Sequence, residues 1–337
     1  RNNPEHGVFV SNIKKELENH GLSIDVAKCG ETKFKLINYF MFFVNSFLLM
    51  STKRYELIYC HFSSHTFFVH FLKKILFLKT NVITHLHGSD AVTSKNSIKY
   101  RINKYTLDRS ELIIFPSEGY RDYIVNLYVL NNIDKLFVFP SGGVKDEFFD
   151  KGNISEKVKT FGYIGRLVKE KGIYTLLDSF SKYQAKHIDS KLIICGYGPE
   201  VDNIINYISE NSLLNINLIP QVSYDSLPEY FNEIDCLIFP TEYKYESLGL
   251  VGLEALSLKT FLIASNSLGP TSYIHGSYAL TFELGNSCDL LEKMEVVNKL
   301  SIEERTLCLS RAHRYALEYK TSTVVKKLHQ KVIELCS

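Results

Sequence analysis

YFNEIDCLIFPTEYKYESLGLVGLEAL, residues 230–256, reads as a buried strand, a long polar turn and the opening of a helix. The apolar run inside DCLIFP (235–240) is too short for a helix and closes on a proline, which suits a strand. A helix is predicted to begin near Gly249. The unpaired amides of its first turn then point back past the strand's end, where they can grip a phosphate. Glu246 stands before that helix and Glu254 inside it, so both carboxylates can face a ligand lying over the helix start. Two acids in these places can equally do no more than complement the helix dipole.

The same alternation extends outward through the chain. In the second half, strands are predicted at TFGYIG (160–165), KLIICG (191–196), INLIP (216–220), TFLIAS (260–265) and YALTF (278–282). In the first half they fall at ELIYC (56–60), NVITHL (81–86), ELIIF (111–115) and KLFVF (135–139). Amphipathic stretches at 9–20, 66–78, 98–107 and 119–127 fill the gaps, so the chain reads as successive βαβ units on parallel sheets. The pattern lapses in VKDEFFDKGNISEKVK (144–159), where we place a domain boundary. Residues 303–335 are helical in period and suit a closing helix.

A chain of 337 residues, 45% hydrophobic and 23% charged, can bury the cores of two domains. Its net charge of +2 is too mild for wrapping nucleic acid. Seven scattered cysteines without a CxxC pair fit reduced cytosolic thiols. No uninterrupted apolar run reaches the length of a spanning helix. LINYFMFFVNSFLLM (36–50) comes nearest; broken by Asn38, Asn45 and Ser46, it reads as core packing ahead of membrane-surface contact.

Ligands of open parallel sheets bind beyond the carboxyl ends of strands. After the strand at 160–165 come Gly165, Arg166 and then Lys171 in GRLVKEKG, which places fixed positive charge there for an anion, or merely two solvated surface cations. The next strand ends in Gly196-Tyr197-Gly198-Pro199-Glu200, which lacks the third glycine of a dinucleotide fingerprint and can be only a tight turn.

GRxxxxKG, GxGP and ExxGLVGLEAL, in this order and each after its own strand, resemble the second domain of GT-B glycosyltransferases of family 4, the retaining group 1 enzymes. PSGGVKDEFF (140–149), RYELIYCHF (54–62), THLHGSD (84–90) and PEHGVFVSNIKKELENHGLSIDV (4–26) extend the likeness over nearly the whole chain. The resemblance implies an α/β protein of two Rossmann-like domains with parallel sheets facing a central cleft. These are an acceptor-binding domain at 1–150, a nucleotide-sugar-binding domain at 151–315, and a helix at 316–337 crossing back to the first. It implies that Glu254 binds the ribose and Glu246 the transferred sugar, with His87 near the reacting carbon. Arg166 and Lys171 then receive the departing pyrophosphate. Gly7, Gly165, Gly196, Gly198 and the segment Ser247, Leu248, Gly249, Leu250 and Val251 hold the rest of the donor.

The reaction so implied moves a hexose or N-acetylhexosamine, with retention, from a UDP-sugar, or alternatively GDP-mannose, to a glycan or polyprenyl-linked acceptor. Its setting is the synthesis of capsules, O-antigens and other bacterial surface glycans at the cytoplasmic face of the membrane. No cofactor is expected. There is no Asp-x-Asp to hold a divalent ion, so the cationic side chains stand in for a metal. Retention through a covalent intermediate needs a placed carboxylate, and none is obvious, so a front-face transfer is expected. The apolar and basic stretches 36–50, 67–77 and 95–104 would then meet an anionic membrane.

The chain also departs from the family. Its SLGPTSYI (267–274) lacks the acid of the usual Gly-Gly-x-Pro-Glu turn, and the strand that should precede Gly7 is absent, so we predict one apolar strand upstream of Arg1. Two other classes compete. His61, His65, His85 and His87, with Asp90 nearby, could gather as in a metal-dependent hydrolase. A sugar-nucleotide epimerase or binding module on the same architecture is the other.

Overall fold

Ten strands, every pairing parallel, form two separate sheets in the computed structural model, which describes residues 8–30, 34–150, 152, 154–276 and 278–336. The chain divides into two units, Arg1–Gly142 with Val324–Ser337, and Gly143–Thr323. In the first, α1 (Val8–Asn19) and α2 (Lys35–Thr52) precede β1 (Leu57–His61), followed by α3 (Ser63–Ile75), β2 (Asn81–His85), α4 (Ile98–Arg109), β3 (Leu112–Phe115), α5 (Glu118–Tyr128) and β4 (Leu136–Val138). The second unit begins β5 (Thr160–Ile164), α6 (Ile173–Gln184), β6 (Lys191–Cys195), α7 (Val201–Glu210), β7 (Ile216–Ile219), α8 (Leu227–Phe231) and β8 (Cys236–Phe239). It continues α9 (Leu250–Ser257), β9 (Phe261–Ser265), β10 (Leu280–Phe282), α10 (Ser287–Lys299) and α11 (Ile302–Ala316), before α12 (Thr321–Cys336) closes the chain.

Strand order in the second unit is β10-β9-β8-β5-β6-β7. Direction of progress reverses between β8 and β5, so the loops leaving these two neighbours open the crevice where such sheets take ligands. Alternation along the strands supplies a core on each face. Leu192, Ile194, Cys236, Ile238, Phe261 and Ile263 enter one cluster, while Ile193, Cys195, Leu237, Phe239, Leu262 and Ala264 enter the other. The first unit's sheet runs β1-β2-β3-β4. One face packs Ile83, Leu112 and Ile114 against Ile13 and Leu17 of α1 and Val324, Val325, Leu328 and Val332 of α12. The other packs Ile113 and Phe115 against Tyr120, Ile124 and Tyr128 of α5.

Three sequence expectations are corrected. The chain divides after Gly142 and not in the polar segment behind it, because Val144, Phe148 and Phe149 are buried in the second unit's core. The closing helix is interrupted: α11 ends in a 3-10 turn over Leu317–Tyr319, and Lys320 pairs with Val144 as an isolated bridge before α12 starts. The stretch 36–50 does not fill the core. Among the described side chains of α2, Asn38, Phe42, Ser46 and Met50 are buried, a single stripe at four-residue spacing; of the polar residues thought to break the apolar face, Asn38 and Ser46 lie within it and Asn45 is exposed. Leu36, Ile37, Phe40, Met41 and Leu48 are exposed. No helix among the described residues is long and apolar enough to cross a membrane.

Candidate functional site

The loop after β5 lies backbone to backbone on the loop after β6. Gly165 N–H donates to Cys195 O at 3.0 Å, Leu167 N–H to Tyr197 O at 2.7 Å, and Glu200 N–H to Leu167 O at 3.2 Å. A Cβ on Gly196 would stand 1.9 Å from Gly165 O, and one on Gly198 2.1 Å from Leu167 O. These glycines therefore serve the close approach of two main chains, whatever else they touch. Arg166, between them, is exposed and forms no ion pair among the described residues. Its carbonyl takes the Tyr163 hydroxyl at 2.7 Å.

The loop after β8 crosses to the loop after β5. Glu242 N–H donates to Glu170 O at 2.9 Å, and Thr175 Oγ1 to Glu242 Oε1 at 2.6 Å. Lys171 Nζ and Glu246 Oε2 form an ion pair, and the same carboxylate oxygen takes Thr241 Oγ1 at 3.3 Å. Lys171 also lies over the Phe239 ring, 5.5 Å from its centre. Two residues assigned from sequence to opposite tasks thus share one half-buried contact. Gly269 N–H holds Glu246 O at 2.8 Å, which fixes the acid's main chain from a third loop.

α9 begins one residue past Gly249, whose φ of +75° and approach to the Phe239 ring leave no room for a Cβ. Its N-cap residue is a glycine, and no side-chain cap is formed there among the described residues. Leu248 is buried, and Leu250 and Val251 pack on the core, so what the segment from Leu248 to Val251 offers outward is main chain, with the part-buried Ser247 just before it. Glu254, by contrast, is 4% exposed, and Tyr224 donates its hydroxyl to Glu254 Oε1 at 2.8 Å. Burial pushes this carboxyl up to about 7, against the lowering effect of the tyrosine. The two acids lie at one helix start without a shared partner. Tyr224, in the 3-10 turn Tyr224–Ser226, and Thr241 were not singled out from sequence. Gly7 lies outside the described residues.

In the first unit, His87 sits in the turn after β2. Asp90 fixes that turn by accepting His87 N–H at 2.9 Å and Ser63 N–H at 3.2 Å, while Tyr128 donates to Ala91 O at 2.7 Å. His61 and His85 end neighbouring strands in direct register. His61 Nδ1 lies 3.1 Å from His87 Nε2, and His85 Nδ1 lies 2.9 Å from the Tyr59 hydroxyl. Burial holds His87 down to about 3 and His61 to about 4, with neighbouring imidazoles adding to the effect, and His85 lies well below the ordinary range. All three rings are neutral near pH 7. His65 does not join them; its Nδ1 turns to His61 O at 3.1 Å.

Residues 144–307 match the family described as glycosyl transferases group 1. An uncharacterized glycosyltransferase of Methanocaldococcus jannaschii is 28% identical over 274 residues, 79% of this chain and 72% of its own length. The capsular polysaccharide biosynthesis glycosyltransferase CapM of Staphylococcus aureus is 30% identical over 228 residues, 62% of this chain and 58% of CapM. Among solved structures, Anabaena HepE in complex with UDP and glucose superposes with a TM-score of 0.74 at 16% identity, covering 95% of this chain and 88% of that one. The fold is GT-B.

Proposed function

Because the chain belongs, through residues 144–307, to the group 1 glycosyltransferases, we propose that it transfers a hexose or N-acetylhexosamine from a nucleoside-diphosphate sugar to a glycan or polyprenyl-linked acceptor, with retention. The observation that carries this reading is the meeting of Lys171 and Glu246 on the loops leaving β5 and β8, where strand order reverses. HepE is seen with UDP and glucose, which favours a UDP-sugar over GDP-mannose as donor. CapM acts in capsular polysaccharide biosynthesis, which favours a surface-glycan acceptor.

Transfer leaves negative charge on a nucleoside diphosphate, and a preorganised set of donors can meet it without a metal. Arg166 supplies an exposed guanidinium, Lys171 an ammonium that Glu246 holds in place, and the start of α9 its main-chain amides. Glu246 receives hydroxyls of the transferred sugar and Glu254 those of the ribose, the latter once Tyr224 yields its place. The departing phosphate oxygen takes the acceptor's proton, so the protein's task is positional and electrostatic. His87, neutral and anchored through Asp90, stabilises the reacting sugar and makes no bond to it.

The exposed side chains of α2, with Phe71, Ile75 and Phe77 on and just after α3 and Lys74 beside them, offer an apolar surface with basic neighbours. We assign it to peripheral contact with an anionic membrane at the cytoplasmic face, where a lipid-linked acceptor is presented. Failure of the protein to bind anionic liposomes at low salt removes that part.

Thermal-shift screening against UDP and GDP, then turnover with the matching sugars, tests the whole. Glu254→Ala should weaken nucleotide binding, and Arg166→Ala should chiefly lower kcat. A folded protein indifferent to every nucleoside diphosphate overturns the reading.

A further inference from the structure

The parallel pairing of β1 with β2 sets His61 opposite His85, and His87 follows two residues on. One nitrogen from each ring lies within 4.8 Å of the others. The His61 Nδ1 to His87 Nε2 separation of 3.1 Å is close to the spacing of two imidazole nitrogens bound to one ion, roughly 3.3 Å for bonds of about 2.0 Å in a tetrahedral shell. His85 supplies the independent observation. Its ring is fully buried, and its Nε2 has no hydrogen-bond partner among the described residues. The tautomer in which Nδ1–H donates to the Tyr59 hydroxyl leaves the unshared pair on that orphaned Nε2, and it is the one that metal-binding histidines hold through an outer partner.

The nearest acid is already committed. Asp90 accepts main-chain N–H groups from His87 and Ser63, so the set is three neutral nitrogens with no carboxylate. Imidazole sets of this kind select zinc and its neighbours over calcium or magnesium, and three histidines leave a fourth position open. The rings are inclined to one another by 23° to 37°, and gathering their nitrogens takes rotation about the Cβ–Cγ bonds, where the torsional well is broad.

We propose that His61, His85 and His87 form a three-imidazole site for a divalent transition ion of the zinc class. Its consequence rests on the proposed function: the ion engages the ring assigned to the transferred sugar, so loading the site slows transfer.

The test uses the full chain free of any histidine tag, dialysed against Zn2+ or Co2+. Retained metal is measured by mass spectrometry and the Co2+ ligand field by visible absorption, neither of which depends on activity. The wild type should retain about one equivalent, with the intense bands of a low-coordinate Co2+ centre. Tyr59→Phe should weaken affinity by about 10-fold or more, and His61→Asn, at one of the two part-buried members, should abolish stoichiometric retention. His65→Asn should change nothing. Folding of each variant is checked by circular dichroism. Absence of retained metal in the folded wild type, or equal retention in folded His61→Asn, overturns the site. Inhibition of transfer by zinc supports the consequence; unchanged transfer by zinc-loaded protein removes His87 from the reaction while leaving the site intact, and nucleotide binding reports separately on the enzyme reading.

Discussion

Glu254 is a buried carboxyl whose charge is disfavoured in the fold. Its folded carboxyl holds a proton up to about 7, against an ordinary value of 4.5, because burial disfavours the ionised form more than the Tyr224 hydroxyl favours it. Folding therefore takes up a proton between those values, and stability falls as pH rises across the window. Above about 7 the full cost of a buried carboxylate is present. Glu254→Gln should gain on the wild type, between pH 5 and pH 8, by on the order of 3 kcal/mol, read from urea melts at both pH values. Parallel pH profiles for the two proteins would remove burial as the cause. Motif reading singled out Glu246, Lys171 and Glu254 by residue type and by position after strands. It could not say that Lys171 would pair with an acid 75 residues away, or that Tyr224 would hold Glu254 from 30 residues upstream. Such partners are set by strand order, which local pattern does not encode.

Elements were more legible, since burial on both faces writes a strand as an unbroken apolar run. KLIICG became β6 and TFLIAS became β9, each within a residue of its reading. What failed was the assumption that an apolar face points inward. α2 buries Asn38 and Ser46 and exposes Leu36 and Phe40, and no periodicity distinguishes a core face from one kept for another partner. Loops depend on contacts finer still. At Gly196 an added methyl meets the carbonyl of Gly165, a main-chain atom that cannot swing aside. Gly196→Ala should cost about 1–3 kcal/mol or more, seen as a lower urea midpoint, and should weaken nucleoside diphosphate binding as the two loops part. The opening of α11 is better insulated. Ser301 and Glu304 close a reciprocal capping box there, so Ser301→Ala should cost about 1 kcal/mol and leave ligand binding alone.

Across the molecule, the two units own their cores separately. Val324, Val325, Leu328 and Val332 belong to the first unit's core although they follow the second in sequence. Leu328 is fully buried, and Leu328→Ala should cost about 2–5 kcal/mol. Scanning calorimetry should show the loss in one transition, with the other, from the second unit, unmoved; equal shifts in both would mean that the units melt as one. The C-terminal segment read from sequence as helical did not reveal its break, because the bridge of Val144 to Lys320 pairs distant residues. This arrangement also bears on biosynthesis. As the polypeptide leaves the ribosome, residues 143–323 can condense as soon as they emerge, whereas the earlier-made sheet has only α1 on one face until translation reaches Val332. The earlier-made unit is thus the later to finish, and during that delay Ile83, Leu112 and Ile114 lack the part of their cover that Val324, Val325, Leu328 and Val332 supply, which leaves them accessible to chaperones.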